Sequence, residues 1–83
     1  MSRKKSFNNE KVYAWNCVRE YRLKAGLSQD ALADLCGTSK TTINAIEHFQ
    51  YDYSCQMALR IALVLNVPFD VLFRLDVKFP ESQ

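Results

Sequence analysis

Apolar residues recur along this chain in short helical stripes, and each stripe is bracketed by residues that start or stop helices. Val12, Trp15, Val18 or Arg19 and Leu23 follow near-helical spacing and predict a first helix over about residues 10–25. Asn8 or Asn9 caps it, Glu10 lies in its first turn, and Gly26 stops it just after Lys24. Ser28 caps a second helix over about 29–36, with Leu32, Ala33, Leu35 and Cys36 as its apolar face and Gly37 as a left-handed stop. Ser39 caps a third over about 40–48, whose only strong apolar positions are Ile43 and Ile46. "HFQYDYS", residues 48–54, reads as a loop. Ser54 then opens a fourth helix over about 55–65, carrying Ala58, Leu59, Ile61, Ala62 and Leu65, and Asn66 ends it. Pro68 stands at the first position of a short fifth helix over about 68–74, where its missing N–H costs little. "DVKF" admits an extended conformation, and no other stretch alternates as a strand does. The expectation is an all-α domain of five short helices over residues 10–75, preceded by a flexible basic arm, 1–9, and followed by a tail, 76–83.

Length and composition narrow the function. Eighty-three residues make one domain with a modest core. No apolar run approaches the roughly 18 residues a membrane span needs, and the basic start MSRKKSFNNEK has no apolar segment behind it, so neither a span nor a secretory leader is expected. Cys17, Cys36 and Cys55 are odd in number and lack paired spacing. Free thiols in a reducing cytoplasm are expected, with no metal and no cofactor. The net charge is +2, yet residues 1–29 carry +5 and residues 30–83 carry −3. Such asymmetry suits either a face turned to a polyanion or a solubilising tail. No nucleophile sits near a base, and no glycine-rich loop could cradle a phosphate, so an enzyme is not expected.

The third helix is the informative element. Two isoleucines bury one narrow stripe, and the rest of its surface must face something else. Lys40, Thr41 and Asn44 fall on the side away from Ile43 and Ile46. Short hydroxyl and amide groups donate and accept at close range, as base edges in a major groove require, and an α-helix fits that groove. The helix N-terminus offers free N–H groups and a positive dipole to phosphate. A three-residue turn sets the preceding helix across it, where it can lie over a nucleic-acid backbone. A solvated face is the alternative.

Residues 16–73 resemble the lambda-repressor/Cro-type helix-turn-helix family, also called the XRE family. The resemblance rests on "NCVREYRLKAGLSQDALADLCGTSKTTINAIE" followed by "ALRIALVLNVPFDVLF". The family's small alanine, turn glycine and paired apolar positions match Ala33, Gly37, Ile43 and Ile46, with Leu32 and Cys36 beside them. By this resemblance Lys40, Thr41 and Asn44 read bases in double-stranded DNA. Gln29 contacts a phosphate and braces the recognition helix, Ser39 or Thr42 lies nearer the backbone, and Arg19 and Lys40 reach phosphates or guanine. Arg22 pairs with Glu47. The basic arm, with Arg3, Lys4 and Lys5, orders on DNA. The fold and function implied are those of a sequence-specific regulator, a repressor of the phage or mobile-element kind. An antitoxin or anti-repressor of the same fold, with a partner protein as its main ligand, is the alternative.

The chain departs from its relatives in places. Many of them follow the glutamate with a glycine-containing loop, whereas here His48, Phe49, Gln50 and Tyr51 follow and no glycine precedes the fourth helix. His48 reads as a loop or helix-end residue. Thr38 replaces an apolar residue. Leu63 and Val71 stand where relatives are charged, and with Phe69, Val77 and Phe79 they predict a homodimer interface on the fourth and fifth helices and the tail. Trp15 is expected to pack the first helix on the fourth or fifth, and Cys17 and Cys55 to be small packing residues.

Overall fold

A computed structural model describes residues 12–50 and 53–77. The chain runs β1 (Val12–Asn16), α1 (Val18–Lys24), α2 (Gln29–Cys36), α3 (Lys40–Glu47), α4 (Cys55–Leu65), α5 (Phe69–Leu72) and β2 (Phe73–Val77). It is a five-helix domain with one small antiparallel ribbon.

Three serines start three helices. Ser28 Oγ accepts from the Ala31 N–H, Ser39 Oγ from Thr42 and Ser54 Oγ from Met57, at 3.0–3.1 Å. Each cap satisfies one orphan donor and contributes about 1 kcal/mol. The helix ends are equally local. Gly37 takes φ +72°, and the Thr38 N–H closes back on the Ala33 carbonyl at 2.9 Å. Gly37 thereby turns the chain from α2 into α3 within three residues. After α3, Phe49 takes the left-handed conformation, φ 60°, and the Gln50 N–H reaches the Ala45 carbonyl at 2.8 Å. Asn66 does the same after α4, at φ 58°.

The core joins one stripe from each helix. Val18, Leu32, Ile43, Ile46, Ile61 and Leu72 are fully buried, with Ala33, Cys36, Ala58 and Phe73 around them. Each fully buried large aliphatic side chain stabilises by roughly 1.5–3 kcal/mol. Helix α2 packs on both α3 and α4 and so holds the helix pair to the body. Phe73 closes the base of the ribbon, its ring 5.2 Å from Tyr53 and 5.5 Å from Phe69.

The N-terminal boundary differs from the sequence expectation. The first helix begins at Val18, with Cys17 at its cap, and residues 12–16 form a strand instead of two helical turns. That strand pairs antiparallel with β2, Val12 opposite Val77 and Asn16 opposite Phe73. "VYAWN" is rich in β-branched and aromatic residues, which suit a pleated surface, and its partner lies about sixty residues away, where no local period can reveal it. Trp15 therefore lies on the ribbon and not on the first helix; it is half-buried, with the Arg74 guanidinium 4.3 Å over its ring. The expected caps Asn8, Asn9 and the first-turn Glu10 lie outside the described residues. The fifth helix is shorter than expected, because Phe73 is already extended, at φ −130° and ψ 136°. Leu35 and Leu59 lie on exposed faces and not in the core, and Cys55 is exposed while Cys17 is partly buried. No helix among the described residues is long and apolar enough to cross a membrane.

Candidate nucleic-acid interface

Helix α3 divides its surface as its sequence requires. Ile43 and Ile46 are fully buried, and Lys40, Thr41 and Asn44 are exposed together on the other side. The Ser39 hydroxyl is engaged at the N-terminus, accepting from the Thr42 N–H and lying 3.1 Å from the Thr42 hydroxyl. The first intrahelical bond runs from the Ile43 N–H to the Ser39 carbonyl, so the N–H groups of Lys40 and Thr41 stay outside the helical ladder. Exposed donors, a positive helix end and a lysine thus share one edge of the molecule. Arg19 is exposed on α1.

The C-terminal half of α3 is held by buried polar contacts. Arg22 meets Glu47 in a bidentate pair: Nε donates to Oε2 at 2.6 Å and an Nη to Oε1 at 3.1 Å. The other Nη donates to the Leu27 carbonyl at 2.9 Å. The two side chains are 8% and 1% exposed, so the pair is shielded from water. The Glu47 hydrogen bond raises the Arg22 pKa above its ordinary value against the opposing pull of burial. Gln29, first residue of α2, extends the contact outward. Its amide nitrogen donates to Glu47 Oε1 and to Asn44 Oδ1, each at 3.1 Å. The structure thus brings Arg22, Glu47, Gln29 and Asn44 into one chain of hydrogen bonds from core to surface. His48 ends α3, its ring nitrogen 2.8 Å from the Asn44 carbonyl.

Two contributors are not evident from local sequence patterns. Asn16 is buried; its Nδ2 donates to the Ile46 carbonyl at 2.9 Å, and its Oδ1 accepts from the Val18 N–H at 3.1 Å. It ties the start of α1 to the end of α3. An asparagine just ahead of a helix is a turn signal, but its second contact depends on the tertiary fold. Arg60 donates to the Cys36 carbonyl at 3.2 Å and closes the end of α2. Arg3, Lys4, Lys5 and Phe79 lie outside the described residues, and of Val77 only its place in β2 is described.

A family model described as helix-turn-helix matches residues 18–72, from the first residue of α1 to the last of α5. The chain belongs to the XRE-type helix-turn-helix family. An uncharacterised HTH-type transcriptional regulator of Archaeoglobus fulgidus is 37% identical over 59 residues, covering 71% of this chain and 84% of its own. The HTH-type regulator YgzD of Bacillus subtilis is 33% identical over 61 residues, 74% of this chain and 92% of its own. Among solved structures, the restriction-modification controller protein C.AhdI of Aeromonas hydrophila superposes with a TM-score of 0.65 at 34% identity, over 68% of this chain and 85% of that one. The protein is thus a DNA-binding transcriptional regulator of XRE type, and the exposed edge of α3 lies on the second helix of its helix-turn-helix.

The α4–α5 face has a different character. Leu63 is 81% exposed, and Leu59, Phe69 and Val71 are exposed around it. Leu59, Leu63, Val67, Pro68 and Phe69 line a shallow, open apolar groove. Neither Leu63 nor Val71 extends the core.

Proposed function

We propose that this regulator is a sequence-specific repressor of the phage or mobile-element kind, cytoplasmic and without catalytic activity, which binds a two-fold operator as a homodimer. The observation that carries it is the division of α3: two buried isoleucines behind an exposed edge of Lys40, Thr41 and Asn44. These three read bases. Ser39, Thr42, Arg19 and, through its backbone N–H at the start of α2, Gln29 meet phosphates, and the basic arm adds sequence-independent attraction. The likeness to a restriction–modification controller supports a regulator of this small kind.

One recognition helix reads only a few base pairs, so a dimer is needed for a site of useful length. The apolar groove between α4 and α5 supports a second copy as its occupant, because a contiguous apolar patch on a monomer is a liability that a self-complementary contact removes. Selection of bound DNA from a random pool tests the reading. It should return two related half-sites about 10 base pairs apart, centre to centre. A protein that is monomeric by light scattering and enriches no DNA would overturn it in favour of the antitoxin or anti-repressor reading, with a partner protein in the groove.

A further inference from the structure

Gln29 stands between the buried ion pair and the exposed edge of α3, and its two contacts constrain each other. Glu47 receives two guanidinium N–H groups, so its oxygens act as acceptors. The Gln29 amide must then turn its NH2, not its carbonyl, toward Glu47, since the reverse orientation would set oxygen against oxygen. That NH2 has two hydrogens, and the second faces Asn44 at 3.1 Å. Asn44 must answer with its carbonyl oxygen. Its own NH2 is left on the exposed side, with no hydrogen bond among the described residues. The orientation of a surface amide is thus fixed by a carboxylate two hydrogen bonds away.

We propose that Glu47 and Gln29 are positioning residues that set the polarity of Asn44, so that Asn44 meets DNA as a hydrogen-bond donor and selects base edges bearing an acceptor. The proposal rests on α3 entering the major groove, as argued above. There guanine offers O6 and N7 and thymine offers O4 as acceptors, adenine offers N7 beside its N6 amino donor, and cytosine presents only its amino donor. An asparagine usually pairs with adenine through both amide ends. Here Oδ1 is already engaged by Gln29, which weakens that arrangement. The base beneath Asn44 is therefore guanine or thymine, a keto base, in preference to cytosine, which has no acceptor there, and to adenine, whose N7 lies beside an opposing amino donor.

Selections from random DNA pools with four proteins test this. Asn44→Ala locates the position, since preference there should relax while the other positions persist. In wild type that position should carry a keto base, by about tenfold or more in relative affinity. Asn44→Asp, at an exposed site, can only accept and should move the preference to an amino base. The exchange Gln29→Glu with Glu47→Gln conserves net charge and composition but reverses the last link. The amide introduced at position 47 keeps its carbonyl toward Arg22 Nε, gives up the Arg22 Nη contact and turns its NH2 to the carboxylate introduced at position 29, and that carboxylate accepts from the Asn44 NH2. The Asn44 carbonyl then faces outward, and the preference should again move to adenine or cytosine at that one position. A purely structural role for Gln29 and Glu47 would lower affinity across all sequences without changing any base. An adenine or cytosine in the wild-type site, or an unchanged preference in Asn44→Asp or in a folded exchange variant, overturns the proposal. A wild-type selection that enriches nothing overturns the DNA reading itself, and a motif that Asn44→Ala leaves intact at every position removes Asn44 from it.

Discussion

Removing the Arg22 guanidinium tests how the recognition helix is anchored. Arg22→Met keeps much of the aliphatic stem and deletes three donated hydrogen bonds, two to Glu47 and one to the Leu27 carbonyl. Glu47, 1% exposed at its side chain, is left as a buried acceptor with only the Gln29 amide. Breaking a buried pair by removing one partner costs about 3–5 kcal/mol, because the remaining charge loses its counterion without regaining water. A domain of 83 residues has roughly 4–12 kcal/mol in total. The variant should therefore melt at least about 12 °C lower, at about 4–8 °C per kcal/mol for a domain of this size. Arg19→Met, one turn earlier on the exposed face of α1, should stay within about 0.5 kcal/mol of wild type. A double variant, Arg22→Met with Glu47→Leu, should recover most of the loss, since an apolar pair of similar volume is often neutral or better. Chemical denaturation with circular dichroism reads all three. Equal, small effects of Arg22→Met and Arg19→Met would refute the argument, as would a double variant whose loss equals the sum of its parts.

Other outcomes can be stated more briefly. Phe49 holds φ 60° while half its ring is exposed, so Phe49→Asn should raise stability by about 0.5–1 kcal/mol and Phe49→Val should lower it, by thermal melting. Leu63→Lys with Val71→Glu places charges on the exposed α4–α5 face and should give a folded monomer with poor operator affinity, by light scattering and gel shift; a dimer with intact binding would move the interface elsewhere. Burial raises the Cys36 thiol pKa, so the folded state holds that proton more tightly than the unfolded chain does. The resulting stabilisation is complete below the ordinary thiol range, about pH 8.5, and is lost as pH rises above it. Cys36→Ala should flatten that alkaline decline in melting temperature, and alkylation of the native protein should mark the exposed Cys55 well before Cys36.

What the sequence reveals divides along the range of the forces involved. The serine caps, the Gly37 turn and the stripes of Ile43, Ile46, Ile61 and Leu65 are written in residues a few positions apart, and there the expectation and the structure agree. The β1–β2 ribbon is written in two segments at opposite ends of the chain, and the helical spacing of Val12, Trp15 and Val18 concealed it. Leu35 and Leu59 show a related limit. Each belongs to an apolar stripe in sequence, but a short helix packs only the part of the stripe its neighbours reach. The two-sided division of α3 was legible in residue type, since two isoleucines bury one stripe and leave Lys40, Thr41 and Asn44 exposed on the other side. The links from Glu47 through Gln29 to Asn44, and from Asn16 to Ile46, depend on side chains meeting across helices, and spacing carries no trace of them.

The weak core of α3 and the strength of its polar anchoring have one cause. Burial of Ile43 and Ile46 drives the helix onto the body, but apolar contact is non-directional and tolerates small rotations. The base reading proposed above would not tolerate them, because a hydrogen bond weakens steeply as its angle falls away from linear. Directional contacts must therefore fix the rotation of α3 about its axis. Arg22 and Gln29 hold its Glu47 side chain from α1 and α2, and Asn16 holds its Ile46 carbonyl from the base of the ribbon. These three anchors come from three separate elements, so no single rotation of α3 satisfies one while losing the others. The same contacts add less to stability than an apolar core of equal volume could, since each buries polar groups at a desolvation cost. They hold α3 in one orientation, so that the edge proposed to read bases is aimed before DNA arrives.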